Sequence, residues 1–438
     1  MAQSAPGKRR LDSPVLISPE RVVIVGVGLK GQSSLMRGSL EELRRLTETA
    51  GGWIAAEFAQ SLSRFNPGTL IGEGKILEIA AAARAKKART VIFDMELSAA
   101  QQKNLEPALG AKVIDRTRLI LDIFAQRAQT SEGKLQVELA QLSYMLPRLT
   151  GAWRSYSQQV GGIGTRGPGE RQLEYERRHI QRRIAGLSSE LERVKDRRTV
   201  RRQKRMSVPV PEAALIGYTN VGKSTLLNAL TKGEIARAVY ADDKLFATLD
   251  PTSRRVRLPE GTQAVVTDTV GFIQRLPTSL VAAFRSTLEE AVLADCLILV
   301  SDASSPARAL QDQTVDAVLA EIGAQDIPRL KVFNKADLLD EGARRRLEIE
   351  HPGQLFVSAE SGQGIPELLS RVQEMISRRW ILRELDLPTS RSEAIAEIYR
   401  CGQVLSSSAV KGKIRYRLRL TEENWRRLRH KLAVPASR

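Results

Sequence analysis

The chain has 438 residues, 42% of them hydrophobic, which is enough for two or three domains that each bury a core. Its 68 Lys and Arg against 50 Asp and Glu leave a formal net charge of +18, so the expected partner is an anion much larger than a single small ligand. Two cysteines and three histidines, with no cluster among them, exclude a disulfide framework and a Cys/His metal site. No apolar run reaches the length of a membrane span and the N-terminus lacks a signal-peptide core, so the expectation is a cytoplasmic protein, in part peripheral to a membrane, and monomeric when free.

Residues 1–20 are polar and basic with three prolines and read as a flexible tail. Order begins with an apolar strand at 21–25 that runs into Gly26, Gly28 and Gly31, formally a GxGxxG. A dinucleotide site is not inferred there, because residues 32–38 do not read as a helix opening at the glycines and no well-placed strand-end acid follows. Helix-period segments at 40–50, 74–88, 99–109 and 119–126 alternate with apolar runs at 90–93 and 112–114. This pattern predicts a small α/β domain with a largely parallel sheet over 21–130, in which Asp94 is a capping or turn residue.

Residues 131–206 read differently. Leu135, Leu139, Leu142 and Met145 fall three or four apart, as do Leu173, Ile180, Ile184, Leu187, Leu191 and Val194 with Arg177 filling one step. Two such apolar seams predict an antiparallel helical hairpin, and the intervening stretch with Gly161, Gly162, Gly164, Gly167 and Gly169 is too glycine-rich to be helical. That loop holds little apolar surface and is expected to order on a partner. From Arg193 through Lys195, Arg197 and Arg198 bases dominate, a composition suited to a phosphate backbone, while Trp153 and Tyr156 could stack on bases or pack on the hairpin.

A Pro-containing linker at 206–211 precedes a strand and then Gly217, Tyr218, Thr219, Asn220, Val221, Gly222, Lys223, Ser224 and Thr225, the form GxxxxGKS at a strand-to-helix turn. Glycines let the backbone approach phosphates, Lys223 reaches the β- and γ-phosphates, and the Ser224 hydroxyl holds Mg²⁺. Phe246, Ala247, Thr248, Leu249 and Asp250 form a candidate switch loop, with Thr248 as a second Mg²⁺ ligand. Asp268, Thr269, Val270 and Gly271 follow a strand as DxxG, where Asp268 can hold Mg²⁺ through water and the Gly271 N–H can sense the γ-phosphate. Further on, Asn334, Lys335, Ala336 and Asp337 follow another strand, and the Asp337 carboxylate can accept from N1–H and N2–H₂ of guanine, which adenine cannot offer. Ser358, Ala359 and Glu360 end the last strand, placed to meet the guanine carbonyl. The ordered set predicts a doubly wound, mostly parallel GTP-binding domain of the P-loop type over 207–380, with Lys223, Thr248 and Gly271 as its catalytic residues. Beyond it, a helix at 392–401, an alternating strand at 413–420 and a basic helix at 422–432 predict a small α/β appendage over 381–438.

The order of parts resembles the HflX family of ribosome-associated GTPases. The likeness rests on the glycine loop from Gly161 to Glu174 ahead of the nucleotide domain, on Gly217 to Ser224, on Phe246 to Asp250, and on Asp268 to Phe272. Arg171 departs from the Thr that family members often carry. The resemblance implies a GTPase that binds the large (50S) ribosomal subunit and splits stalled or vacant ribosomes under stress, with Gly161, Gly162, Gly164, Arg166, Gly167, Arg193, Lys195, Arg197 and Arg198 on ribosomal RNA. Its cofactor is Mg²⁺, with K⁺ beside Asn220 as in some similar GTPases. Phe272 stands where many GTPases place a water-orienting glutamine, so slow turnover raised by a partner is expected. A ribosome-assembly or RNA-modification GTPase, or a nucleotide-gated RNA-binding scaffold, are the alternatives.

Overall fold

Strand β1 (Arg21–Leu29) is buried along most of its length, the pattern of an inner strand covered on both faces. The computed structural model describes residues 20–151, 168–205, 210–231, 245–246, 248–274, 291–378, 380–388, 392–410 and 412–432. The chain divides into two compact units between Leu119 and Ile120.

In the first unit, α1 (Ser33–Thr49) follows β1, then β2 (Trp53–Leu62), α2 (Glu73–Lys86), β3 (Thr90–Phe93), α3 (Ala99–Leu109) and β4 (Lys112–Asp115). The sheet is parallel throughout, in the order β2-β1-β3-β4. Val23, Val25 and Val27 of β1 meet Ile76 and Ile79 of α2 and Leu105 of α3 in one apolar core. Helix α3 starts with a capping box between Ser98 and Gln101 and ends at Gly110, whose φ of 63° closes the helix in the left-handed region.

Three local expectations change here. Helix α1 opens at Ser33, directly after the glycines, and Gly26 and Gly28 lie inside β1. A Cβ on either would stand 3.2 to 3.3 Å from Leu40 or Met36, so these glycines let α1 lie close on the strand. Strand β2 has no counterpart among the expected elements, because its half-buried edge position tolerates Ala, Glu and Gln in place of a β-branched run. Asp94 is fully buried and takes part in a buried ion pair, its Oδ1 accepting from Arg116 Nη1 at 2.6 Å. The capping role falls to Asp115, which accepts from the N–H groups of Leu97 and Arg118.

Helix α4 (Arg116–Arg127) is one continuous helix that crosses the boundary, so the second unit begins earlier than the expected break at 130. It continues into α5 (Ser131–Met145), capped by Thr130, and a 3-10 turn over Leu146–Gly151. Helix α6 (Pro168–Arg205) has 38 residues, roughly 57 Å at 1.5 Å per residue. It packs on α5, with Leu187 fully buried, and a bidentate pair joins Arg183 to Glu138 at 2.7 and 2.9 Å. Pro168 and Gly169, expected in the loop, are the first residues of α6, consistent with the place proline takes at a helix start.

The nucleotide domain runs β5 (Glu212–Gly217), α7 (Lys223–Leu230), β6 (Thr252–Arg257), β7 (Gln263–Asp268), β8 (Cys296–Asp302), α8 (Arg308–Glu321), β9 (Arg329–Asn334), α9 (Glu341–Glu350), β10 (Leu355–Phe356) and α10 (Ile365–Ser377) among the described residues. Its six strands lie in the order β10-β9-β8-β5-β7-β6, all parallel except β6. The chain reverses direction across the sheet beside β5, which opens a crevice at the strands' carboxyl ends. The C-terminal part is an antiparallel sheet of β11 (Trp380–Pro388), β12 (Gln403–Val410) and β13 (Lys413–Thr421), with β13 central, and α11 (Ser392–Cys401) and α12 (Glu422–Leu432) on one face. Arg415, Arg417 and Arg419 alternate with the buried Tyr416, Leu418 and Leu420. Arg419 reaches the β6–β7 turn, donating to Thr262 Oγ1 at 3.1 Å. Cys296 and Cys401 are buried and neither is in a disulfide, and among the described residues no helix is long and apolar enough to cross a membrane.

The nucleotide cavity and its two loops

The turn from β5 into α7 builds the site. Gly217 ends the strand with its backbone so near Val300 O that a Cβ would collide, and Asn220 and Gly222 take φ of 60° and 89°. That geometry leaves N–H groups at the start of α7 directed outward, an arrangement that accepts an anion. Lys223 is buried, and its Nζ donates to the carbonyls of Gly217 and Tyr218 at 3.2 and 3.0 Å. Burial lowers its pKa to about 8, with the Asp268 carboxylate acting in the opposite sense.

Three oxygens converge beside it. Ser224 Oγ lies 2.8 Å from Thr248 Oγ1 and donates to Asp268 Oδ2 at 2.6 Å, and Thr248 Oγ1 donates to the same oxygen at 2.9 Å. Asp268 is fully buried, which pushes its carboxyl pKa up against the pull of Lys223, Ser224 and Thr248. Its Oδ1 is buried without a hydrogen-bond partner. Two hydroxyls and a carboxylate are hard donors of the kind Mg²⁺ takes, so the residues fit that ion.

The loop after β7 presses onto the phosphate turn. Thr219 N donates to Phe272 O at 2.8 Å and Phe272 N to Gly217 O at 3.2 Å. A Cβ on Gly271 would lie 2.8 Å from Thr219 Cα and 3.0 Å from Lys223 Nζ, so only glycine lets the backbone come this near. Phe272 itself is 2% exposed, its ring turned into the core.

The far wall is held by Asn334. Its Nδ2 donates to Val221 O at 2.8 Å and its Oδ1 accepts from Ala359 N at 3.0 Å, so one side chain joins the phosphate turn to the loop after β10. Lys335, with φ of 61°, donates to Asn220 O and pairs with Asp302, each at 2.8 Å. Asp302, which no motif marked, could have been noticed as an acid closing a central strand. Asp337 stands exposed at the rim.

These groups line an open cavity of about 380 Å³, within the range of small-molecule ligand pockets. Of the expected nucleotide contacts, Thr219, Asn220, Gly222, Lys223, Ser224, Thr225, Phe246, Thr248, Thr269, Gly271, Asn334, Lys335, Asp337, Ala359 and Glu360 line it. Leu338 also lines it, an exposed residue beside Asp337 that carries no motif signal. Gly217, Tyr218, Val221, Leu249, Asp268, Val270, Ala336 and Ser358 stand behind the wall, all buried. Asp250, expected at the nucleotide, instead directs its carboxylate to the start of α5. Ala247 and the loop residues Gly161, Gly162, Gly164, Arg166 and Gly167 lie outside the described residues. Arg193, Lys195 and Arg197 are exposed on α6, and Arg198 belongs to the same helix.

Comparison with known proteins agrees with this geometry. Residues 37–125 match the family described as GTP-binding GTPase N-terminal, 127–205 the GTP-binding GTPase Middle Region, and 212–335 the 50S ribosome-binding GTPase. GTPase HflX of Lacrimispora saccharolytica is 46% identical over 386 residues, covering 88% of this chain and 90% of the relative. GTPase HflX of Escherichia coli K12 is 44% identical over 393 residues, covering 89% and 91%. A solved structure of SsGBP in complex with GDP aligns over 82% of this chain and 99% of that one, at 25% identity and a TM-score of 0.44. With a P-loop cavity, a hydroxyl and carboxylate set suited to Mg²⁺ and relatives matched over most of their length, the chain belongs to the HflX family of GTPases and is a GTP-hydrolysing enzyme.

Proposed function

We propose that this GTPase binds the large (50S) ribosomal subunit and splits stalled or vacant ribosomes, with its nucleotide state controlling the grip of the helical hairpin on ribosomal RNA. The observation that carries the reading is the long α6, whose exposed Arg193, Lys195 and Arg197 continue a strongly basic segment, in a chain of net charge +18. The match of its nucleotide domain to a family described as 50S ribosome-binding GTPase supports the choice of the large subunit.

Hydrolysis is in-line: a water oxygen forms a bond to the γ-phosphorus as the bond to the β–γ bridging oxygen breaks, giving GDP and phosphate. Lys223 lies under the phosphate turn to neutralise charge on the β- and γ-phosphates, and the Gly271 N–H would meet a γ-phosphate oxygen. Ser224, Thr248 and Asp268 would hold Mg²⁺, which when bound offsets negative charge on the phosphate oxygens. Asp337 would accept from the guanine edge. Asn220, in a left-handed conformation at the cavity wall, is the residue we assign to a K⁺ near the β-phosphate. Phe272 cannot orient water, so the activating group comes from the ribosome.

Sedimentation of purified ribosomes with the protein tests the proposal. In the presence of a non-hydrolysable GTP analogue the protein should co-migrate with 50S subunits and the 70S peak should shrink, whereas GDP should support neither. Equal behaviour with both nucleotides, or a 70S peak that never changes, would remove the splitting function.

A further inference from the structure

The segment that carries Thr248 is tied at both ends to the helices leading into the hairpin. Two residues beyond Thr248, Asp250 Oδ2 accepts from Gln129 N at 3.0 Å and from Thr130 N at 2.9 Å, and Oδ1 accepts from Thr130 Oγ1 at 2.5 Å. Thr130 is the N-cap of α5, and its Oγ accepts from Gly133 N at 2.9 Å, so the hydroxyl passes the first-turn hydrogen bond on to the carboxylate. Two residues before Thr248, the buried Phe246 meets Phe124 of α4 edge to face at 4.6 Å, held with φ of 57°. A carboxylate that collects unpaired N–H groups at a helix start is stabilised both by charge-assisted hydrogen bonds and by the helix dipole.

Thr248, between these two anchors, points the other way, to Ser224 and Asp268. We propose that Asp250 is a positioning residue for GTP hydrolysis: by latching onto the start of α5 it holds Thr248 over the γ-phosphate, so that closing the nucleotide loop and seating the root of the hairpin are one event. Free energy released when the hairpin engages a partner then reaches the active site through this latch, and GTP reaches the hairpin by the same route, as reciprocal coupling requires. The inference rests on Thr248 closing over the γ-phosphate and adds a route between the two sites.

Gly133 supplies the test. A Cβ there would collide with Asp250 Oδ1, although Gly133 lies in α5, has no left-handed φ, and Ala is the better helix former. Affinities of the full chain for fluorescent GDP and for a fluorescent non-hydrolysable GTP analogue, together with kcat, are measured for Gly133→Ala, Asp250→Ala, the double variant and Thr248→Ala. Gly133→Ala should stay folded and melt within about 4 °C of the parent, since the helix propensity gained offsets much of the bond lost, yet bind the GTP analogue and turn over GTP about tenfold less well, the order expected for removal of one charge-assisted hydrogen bond. GDP affinity should stay within about twofold, and the double variant should be no worse than Asp250→Ala, since both changes break the same link. Parallel loss of GDP and GTP affinity, effects that multiply in the double variant, or a Gly133→Ala protein that matches the parent would each overturn the latch. Loss of analogue affinity in Thr248→Ala but not in Gly133→Ala leaves Thr248 in place and overturns the latch alone. An unchanged Thr248→Ala protein overturns both.

Discussion

Asn334 and Asp337 share one motif and do different work. The amide of Asn334 bonds Val221 through its nitrogen and Ala359 through its oxygen, so it fixes the spacing between the phosphate turn and the base-facing loop. Asp337 is exposed at the cavity rim and available for a base. Replacing Asp337 with Asn exchanges an acceptor-only carboxylate for an amide that donates toward a ring carbonyl, which suits xanthine and not guanine. In Asp337→Asn the affinity for GTP should fall about a hundredfold and that for xanthosine triphosphate should rise, because two charged hydrogen bonds to guanine disappear and an equivalent pair to xanthine forms. Unchanged preference for GTP in a competition assay would place the guanine edge elsewhere. Hydrolysis by the parent in KCl and in NaCl, measured alongside, should be faster in K⁺; equal rates would remove Asn220 from a cation site.

At the level of elements, what could be read from sequence follows how tightly chemistry fixes spacing. A phosphate turn needs glycines, a lysine and a hydroxyl at set intervals between a strand and a helix, so β5, α7 and the loops after β7, β9 and β10 were legible from Gly217, Lys223, Gly271, Asn334 and Ala359. The edge strand β2 and the opening of α1 were not, because an edge position relaxes composition and because Gly26 and Gly28 serve close packing inside a strand. Asp250 shows a different limit: its neighbours in sequence belong to the nucleotide loop, and nothing local records that its partners are about 120 residues away. Strands β11 and β12 went unseen for a similar reason, since only pairing with β13 gives them a buried face. The basic end of α6 makes its own prediction. Changing Arg193, Lys195 and Arg197 together to Ala should weaken binding to 50S subunits and flatten the plot of log affinity against log salt by about 3, one for each phosphate no longer neutralised. An unaltered slope would mean that this face of α6 is only solvated.

Across the whole molecule, a nucleotide domain with a fully built phosphate site lacks a group to orient the attacking water at the position after Gly271, since Phe272 is sealed in the core. The same domain is joined through Asp250 to α5, against which the basic α6 packs. An enzyme arranged this way should idle when free and work when the hairpin is engaged. Steady-state GTP hydrolysis by the full chain, titrated with purified 50S subunits, tests this most directly. Turnover below about one per second for the free protein, rising saturably by about 10³-fold or more with added subunits, is the expected result. Brisk hydrolysis by the free protein, or a rate that stays flat across the titration, would contradict it.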